Sequence, residues 1–244
     1  MAYIEFKNVS KEYQDDITVK ALKKANFEIE KGDVVAVIGP SGSGKTTLLN
    51  ILGLIDVPTS GEVLIDGVLL NKLRRKKIIA YRRKNIGFIF QDSYLVKNLT
   101  VKENVEVTSQ ICKDPQDVDQ VMRKLALGKK KDEFLNNLSS SEVKKIDVAR
   151  AIVKNPKILL CDETLDTLDE KSMKQVIKLI ESINKKQKTT VFITSHNNDV
   201  IKVANKVIII ENGNIKEVME NKKAAGDIMG DLKWWEKKVS LKMR

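Results

Sequence analysis

Cysteine and histidine are scarce in this 244-residue sequence, and their scarcity excludes several kinds of site. Cys112 and Cys161 lie far apart without a CxxC pair, so neither a disulfide framework nor a thiolate metal site is expected. His196 is the only histidine, which excludes any site that needs two imidazoles, including the usual catalytic zinc arrangements.

Long apolar runs are absent as well. The most hydrophobic stretches, such as VVAVI and KVIIIE, are far shorter than the roughly 18 residues that a membrane-spanning helix needs. The beginning of the sequence, MAYIEFKNVS, also lacks the basic and apolar regions of a signal peptide. We therefore expect a cytoplasmic protein.

Acidic residues are fewer than basic ones, and the formal net charge is +11. Such an excess suggests an anionic partner, which could be a nucleic acid, an anionic membrane surface or a phosphorylated ligand. A solvated lysine-rich surface is the alternative. The densest basic run, KLRRKKIIAYRRK at 72–84, has Tyr81 as its only aromatic residue, so a base-stacking surface is poorly supported and no nucleic acid is expected as a partner.

The hydrophobic pattern predicts an α/β fold. AYIEFKNVSKEY alternates apolar and polar residues as a half-buried strand does, whereas KGDVVAVIG is a turn followed by an almost wholly apolar strand. Helical patterns fill about 92–156, and apolar strands then return in alternation with helices. This alternation indicates a mainly parallel sheet that is covered on both faces. No linker separates two domains, so we assign 1–220 to a single domain.

Residues 39–46, GPSGSGKT, match the phosphate-binding pattern G-x-x-x-x-G-K-[ST] between a predicted strand and a predicted helix. Glycines let backbone amides wrap around phosphate oxygens at a helix N-terminus. Lys45 is expected to reach the β- and γ-phosphates of a nucleotide, and the Thr46 hydroxyl to bind Mg²⁺. A chance glycine-serine loop is the alternative. The residues assigned to the phosphates are Gly39, Pro40, Ser41, Gly42, Ser43, Gly44, Lys45, Thr46 and Thr47.

Two adjacent carboxylates, Asp162 and Glu163, follow the apolar run ILLC. Because parallel strands end at one edge of a sheet, both are expected at the phosphate site. Asp162 is predicted to hold Mg²⁺ through water, and Glu163 to orient or deprotonate the attacking water. A solubilising strand cap is the alternative. His196, at the end of VFITSH, is predicted to bond the γ-phosphate, and a structural histidine is the alternative there.

These motifs, in this order, resemble those of the ATP-binding cassette (ABC) ATPases up to about residue 218. GFIFQD, NLTVKENVEV and VARAIVKNPKILLCDE are most similar to the subgroup that serves lipoprotein-release, macrolide-export and antimicrobial-peptide-resistance transporters. The resemblance implies a P-loop NTPase fold with a mainly parallel core sheet, a small antiparallel β subdomain and an inserted helical subdomain at about 92–156. It also implies ATP and Mg²⁺ as cofactors and a transmembrane permease subunit as partner, which would place the chain peripherally on the inner face of the cell membrane.

Three further residues receive roles from the resemblance. Tyr13 would stack on adenine, with a strand aromatic in the core as the alternative. Gln91, which ends GFIFQ, would touch Mg²⁺ and the attacking water and report ATP occupancy to the permease. Asp169 matches the loop that crosses to the other subunit of an ATP-bound dimer.

Residues 138–142, LSSSE, occupy the position of the LSGGQ signature, which in the family clamps the γ-phosphate of ATP held by the opposite subunit. Ser139 is retained, whereas Ser140 and Ser141 replace glycines and Glu142 brings a negative charge toward a triphosphate. A left-handed backbone at a serine would cost about 1–2 kcal/mol, and the repulsion at about 4 Å would cost on the order of 1–4 kcal/mol. Ser139 and Glu142 also have capping-box spacing, so we predict a helix start that satisfies its own amides.

The residues with which the chain would bind its own ATP and Mg²⁺ are therefore complete. The signature residues that it would contribute to the ATP of a partner subunit are weakened. A homodimer is preferred because the subgroup usually forms one, and a heterodimer with a second ABC ATPase is the alternative. Two other functions stay open. One is a nucleotide-gated regulatory subunit with little hydrolysis, and the other is a soluble ABC protein that acts on ribosomes or DNA.

Residues 221–244 form a basic tail beyond the resemblance. Leu232, Trp235, Val239 and Met243 are spaced as one face of a helix. We predict an amphipathic helix that rests on its own domain or, alternatively, on an anionic membrane or the permease.

Overall fold

The computed structural model of the chain describes residues 2–14, 16–195 and 199–221. His196 and the tail after Asn221 lie outside these ranges, so what was predicted for them stays a prediction. The strands are β1 (Ile4–Gln14), β2 (Thr18–Ile29), β3 (Val34–Ile38), β4 (Ser60–Ile65), β5 (Val68–Leu69), β6 (Ile86–Ile89), β7 (Ile158–Cys161), β8 (Thr190–Thr194), β9 (Lys206–Glu211) and β10 (Asn214–Glu220). The α-helices are α1 (Lys45–Leu52), α2 (Arg75–Asn85), α3 (Val101–Gln110), α4 (Val118–Lys124), α5 (Ser140–Ile152), α6 (Glu170–Gln187) and α7 (Asp199–Val203).

Six strands form the central sheet, in the order β10-β9-β3-β8-β7-β6. Neighbouring strands from β9 through β6 are parallel, and the edge strand β10 is antiparallel to β9. Every residue of β7 and β8 is buried, because helices and loops cover both faces of the sheet and the two strands are apolar on both sides. The predicted α/β fold with a mainly parallel core sheet is confirmed.

A second sheet has four strands, in the order β2-β1-β4-β5, and is antiparallel throughout. The rings of Phe6 and Phe27 stack across its first strand pair, with centroids 4.4 Å apart. They belong to a buried cluster that also contains Leu48 and Leu49 of α1. This sheet therefore packs against the helix that follows the phosphate loop, and it is the small antiparallel β subdomain that the resemblance implied.

Helices α3, α4 and α5 lie between β6 and β7, where helical patterns were predicted. A capping box begins α3, because the Thr100 hydroxyl accepts from the Glu103 amide and Glu103 accepts from the Thr100 amide. Among the described residues, no helix is long and apolar enough to cross a membrane. The division into a domain at 1–220, with a helical subdomain at about 92–156, stays a prediction.

Candidate active site

The phosphate loop connects β3 to α1 and is built around left-handed glycines. Gly42 and Gly44 have backbone φ values of 71° and 108°, which residues with a Cβ rarely adopt. A Cβ on Gly44 would also lie only 2.3 Å from the carbonyl oxygen of Ala21. Glycine is required at these turns, and the loop presents its amides at the N-terminus of α1, as an anion site does.

Two polar groups in this loop, the ammonium of Lys45 and the hydroxyl of Ser43, fit a phosphate. Lys45 is only 4% exposed, and its ammonium donates to the carbonyl oxygens of Gly39 at 2.9 Å and Pro40 at 3.1 Å. The buried hydroxyl of Ser43 has no hydrogen-bond partner among the described residues. Since a buried polar group without a partner is costly, a phosphate oxygen at this position would be stabilising.

Asp162 and Glu163 follow β7 directly, and one hydroxyl from the neighbouring strand fixes both. Thr194, the last residue of β8, donates its hydroxyl to the Asp162 carboxylate at 2.8 Å and accepts from the Glu163 amide at 2.8 Å. Asp162 is almost fully buried, with 3% exposure. Sequence reasoning did not identify Thr194, although its place at the end of an apolar strand, two residues before His196, was a usable signal.

The carboxylate of Glu163 points toward the phosphate loop. Its Oε1 lies 3.3 Å from the ammonium of Lys45, and its Oε2 accepts from the amide nitrogen of Gln91 at 3.1 Å. The backbone of Glu163 is left-handed, with φ 45°, a conformation that costs about 1–2 kcal/mol for a residue with a Cβ. Strain of this kind persists where surrounding contacts impose it, as at many functional sites.

Gln91 follows β6, and a buried lysine holds its backbone. Lys144 of α5 is 5% exposed, and its ammonium donates to the carbonyl oxygens of Phe90 at 3.0 Å and Gln91 at 2.8 Å. Its ion-pair partner is Asp147, one turn later at 3.6 Å, whose pKa is raised by burial. Sequence reasoning missed Lys144, although a lysine amid the apolar residues of this helix was a visible irregularity.

Tyr13 lies near the end of β1, beside the phosphate loop. Its hydroxyl donates to Asp56 at 2.7 Å, and Lys11 donates to the other oxygen of the same carboxylate at 2.6 Å. The Lys11 ammonium also lies 4.9 Å from the centroid of the Tyr13 ring. Tyr13 is half-buried and belongs to neither buried core cluster, which argues against the alternative of a core aromatic.

These groups share one open cavity of about 530 Å³. Residues from the first strand, the phosphate loop and the ends of β6 and β7 line it, so residues far apart in sequence meet at one site. Those that the sequence predicted are Tyr13, Ser41, Gly42, Gly44, Lys45, Thr46, Thr47, Gln91 and Glu163. Asp162 lies just behind Glu163, and residues 139–142 and Asp169 do not line this cavity.

The predicted capping box at the start of α5 is present. The hydroxyl of Ser139 accepts from the Glu142 amide at 3.3 Å, and Glu142 accepts from the Ser139 amide at 2.9 Å. That backbone bond is the largest of the effects that lower the pKa of Glu142. Lys130 forms an ion pair with Glu142 at 3.0 Å, a partner that sequence reasoning did not identify.

Ser141 connects the signature position to the Asp169 loop of the same chain. The Asp169 amide donates to the Ser141 hydroxyl at 3.1 Å. Asp169 is also the N-cap of α6, since its carboxylate accepts from the Ser172 amide at 2.8 Å. The bonds from Ser172 and Ser141 hold the pKa of Asp169 well below its usual range. A glycine at position 141 could not make this link.

Comparisons with known proteins agree with this geometry. The sequence profile of a family described as "ABC transporter" matches residues 22–166. MJ1508 of Methanocaldococcus jannaschii, an uncharacterised ABC transporter ATP-binding protein, is 37% identical over 88% of this chain and 99% of its own length. The bacitracin export ATP-binding protein BceA of Halalkalibacterium halodurans is 34% identical over 88% of this chain and 87% of its own.

A solved structure has the same fold. The ATP-binding cassette MJ0796, in a dimeric post-hydrolysis state bound to ADP and Pi, superposes with a TM-score of 0.82 at 31% identity. The superposition covers 89% of this chain and 98% of that one.

We predict that Lys144→Met lowers the turnover number for ATP about tenfold, the effect of ~1.4 kcal/mol on the barrier, with little change in the KM for ATP. The substitution removes the ammonium that holds the backbone of Gln91 but leaves the phosphate loop intact. Steady-state phosphate release measures both constants.

Lys154→Met is the matched control for this variant. Lys154 is another buried lysine that donates to two backbone carbonyl oxygens, those of Arg82 and Ile86, but it does not contact Gln91. An equal loss of turnover in both variants would show that general destabilisation, and not the position of Gln91, is responsible.

Proposed function

This chain belongs to the ABC transporter family, and we propose that it works as the ATP-binding and ATP-hydrolysing subunit that powers a membrane transporter. Its reaction is the hydrolysis of ATP to ADP and phosphate. The observation that carries this function is the cavity lined by the glycine-rich loop, in which the Lys45 ammonium and the Glu163 carboxylate lie 3.3 Å apart.

Binding of ATP would change the partners of Lys45. In the structure its ammonium is satisfied by two loop carbonyl oxygens and by Glu163. The phosphates of ATP offer stronger, charged acceptors at the same place. As Lys45 turns to them, the Glu163 carboxylate can accept a hydrogen bond from a water molecule, which it orients and deprotonates.

The residues that would hold Mg²⁺ are the hydroxyl of Thr46, the carboxylate of Asp162 and the side chain of Gln91. All three offer the oxygen ligands that this ion prefers. Mg²⁺ held by these residues would supply positive charge against the phosphates. Thr194 keeps the Asp162 side chain in one orientation, so this carboxylate is positioned before any ligand arrives.

Dimerisation is the second part of the proposal. Residues 139–142 and Asp169 lie away from the chain's own cavity, so they contribute to ATP binding only across an interface with a second subunit. The related cassette MJ0796 is dimeric in its post-hydrolysis state bound to ADP and Pi. We favour a homodimer, and a heterodimer would combine this chain's cavity with an intact signature from another subunit.

A cleft of about 310 Å³, lined by Phe90 next to Gln91 in the chain, is the proposed docking site for the permease. Phe88 and Phe90 stack at 4.2 Å, and Tyr94 meets Phe90 edge-on at 5.2 Å. Tyr94 is 65% exposed, so the cleft presents an aromatic surface that a partner could cover. A permease segment bound there would touch the backbone that carries Gln91, and the chain would lie peripherally on the inner face of the cell membrane.

A regulatory subunit with slow turnover is the second candidate. The capping box favours it, because amides that are satisfied within the chain are less available to a phosphate. The complete arrangement around Glu163 favours hydrolysis. The alternative of action on ribosomes or DNA has only the net charge of +11 in its favour.

Glu163→Gln tests hydrolysis. We expect turnover to fall at least about 100-fold, the usual contribution of a general base, while ATP binding and ATP-dependent dimerisation persist. Phosphate release and size-exclusion chromatography measure the two effects. Glu170→Gln, an exposed carboxylate on α6, is the control and should keep full activity. Wild-type turnover in the Glu163→Gln variant would refute the assignment of this base.

Tyr13→Ala tests the adenine platform. Loss of a stacked ring should weaken ATP binding by about 1–3 kcal/mol, or roughly 5- to 150-fold in Kd. Tyr13→Phe removes the bond to Asp56 but keeps the ring, so it should weaken binding less. Inorganic tripolyphosphate, which has no base, should bind equally to all three proteins. If the affinity for tripolyphosphate fell together with the affinity for ATP, the ring would stabilise the phosphate loop and would not bind the adenine base.

Changes at the signature test its weakened clamp. Glu142→Gln keeps the capping box but removes the charge, and Ser140→Gly with Ser141→Gly restores a close backbone approach. Both changes should raise ATP turnover, and the charge change alone should do so about fivefold, the effect of ~1 kcal/mol of repulsion. Lys130→Gln should lower turnover, because it unmasks the Glu142 charge. Unchanged turnover in all these variants would count against the weakened clamp.

A further inference from the structure

Helix α2 and the residues before it carry positive charge that the proposed reaction does not use. Eight basic residues fall within 72–84, and no acidic residue lies between Asp66 and Asp92. None of these eight side chains forms an ion pair with a residue in the described ranges. Elsewhere on the surface, lysines such as Lys102 and Lys130 do pair with carboxylates.

The start of α2 is electrostatically unfavourable as it stands. Arg74 is the N-cap and its side chain makes no capping bond, and the first turn carries Arg75, Lys76 and Lys77 without an acidic residue. Cations at a helix N-terminus oppose the helix dipole, and like charges one turn apart repel each other. An anionic surface against this helix would relieve both effects.

The helix has two distinct faces. Ile78, Tyr81 and Asn85 are spaced on one side and face the protein, where Asn85 is buried and burial raises the pKa of Tyr81 to about 12. The residues spaced on the opposite side, here named the outer face, are Arg75, Lys76, Ile79, Arg82 and Arg83. Ile79 is 54% exposed among these cations. Basic residues around an exposed apolar side chain are typical of helices that lie on membranes.

The outer face adjoins the aromatic cleft. Ile79, Arg82 and Arg83 line that cleft together with Phe88 and Phe90. If a permease segment docks in the cleft, the outer face is turned to the same side as the membrane. The inference therefore rests on the proposed permease docking.

We propose that the outer face of α2 binds the headgroups of anionic phospholipids beside the permease. The cations neutralise the headgroups, and Ile79 enters the interfacial region. A nucleic acid fits this face less well, because Tyr81, the only aromatic residue of α2, is turned toward the protein and the outer face itself carries no ring for base stacking.

Vesicle flotation of the full chain tests this surface. The variant Arg75→Gln with Lys76→Gln is compared with Lys185→Gln and Lys186→Gln, two exposed cations at the end of α6, so that both proteins lose the same charge. Vesicles contain phosphatidylcholine alone or an equal mixture with phosphatidylglycerol. We expect the wild type and the α6 variant to bind the mixed vesicles, and the α2 variant to bind about 25-fold more weakly, since each cation near an anionic surface contributes about fivefold.

Several outcomes would overturn the proposal. Equal binding of both variants to mixed vesicles would do so, as would wild-type binding to phosphatidylcholine alone with the same affinity. Loss of affinity for duplex DNA or RNA in the α2 variant, with unchanged vesicle binding, would assign the face to nucleic acid. Retained ATP turnover shows that the variants are folded.

Permease docking is measured separately, by association of the chain with the permease in nanodiscs of phosphatidylcholine. Its failure would refute the proposed function without affecting the vesicle result. If the α2 variant lost only this association, the face would bind an acidic protein segment and not lipid.

Discussion

The parallel pairing of β3, β8, β7 and β6 is the constraint on which the active site depends. Its register sets Val37 beside Thr194 and Cys161 beside Ile193, so the four strands end together at one edge of the sheet. The phosphate loop follows the end of β3, the adjacent carboxylates follow the end of β7, and Gln91 follows the end of β6. A single hydroxyl, that of Thr194, then fixes two acidic residues from the next strand, and a shift of one strand past another would separate acid from lysine.

Helix α5 connects this edge to two other parts of the molecule. The signature position lies at its N-terminus. Its buried Lys144 donates to the backbone carbonyl oxygen of Gln91. Its Arg150 donates to the carbonyl oxygen of Tyr94 at 2.6 Å in the aromatic cleft. Because the hydrogen bonds of the buried Lys144 are costly to break, a displacement of α5 would carry the Gln91 segment with it. The same helix would therefore connect the proposed dimer interface to the proposed docking site for the permease.

The signature position shows how local chemistry can compete with a shared function. A helix start that is satisfied by Ser139 and Glu142 stabilises the chain by itself, yet it occupies amides that a phosphate would need. Lys130 compensates part of the Glu142 charge, and Ser141 ties the position to Asp169. The capping box is thus integrated into the fold, which fits the proposal of a subunit whose turnover depends on its partner.

By itself, the sequence determined the local features, which are the strand and helix periodicity, the phosphate loop and the capping box. Each of them depends only on residues that are near neighbours in the chain. The mainly parallel sheet and the meeting of Lys45 with Glu163 also followed, because parallel strands end at one edge. Only the tertiary structure decided that Thr194 would bind Asp162 and that Lys144 would hold the Gln91 backbone. These partners are 32 and 53 residues apart. No local pattern encodes such a contact, since it depends on how helices and strands pack after the chain has closed the loops between them.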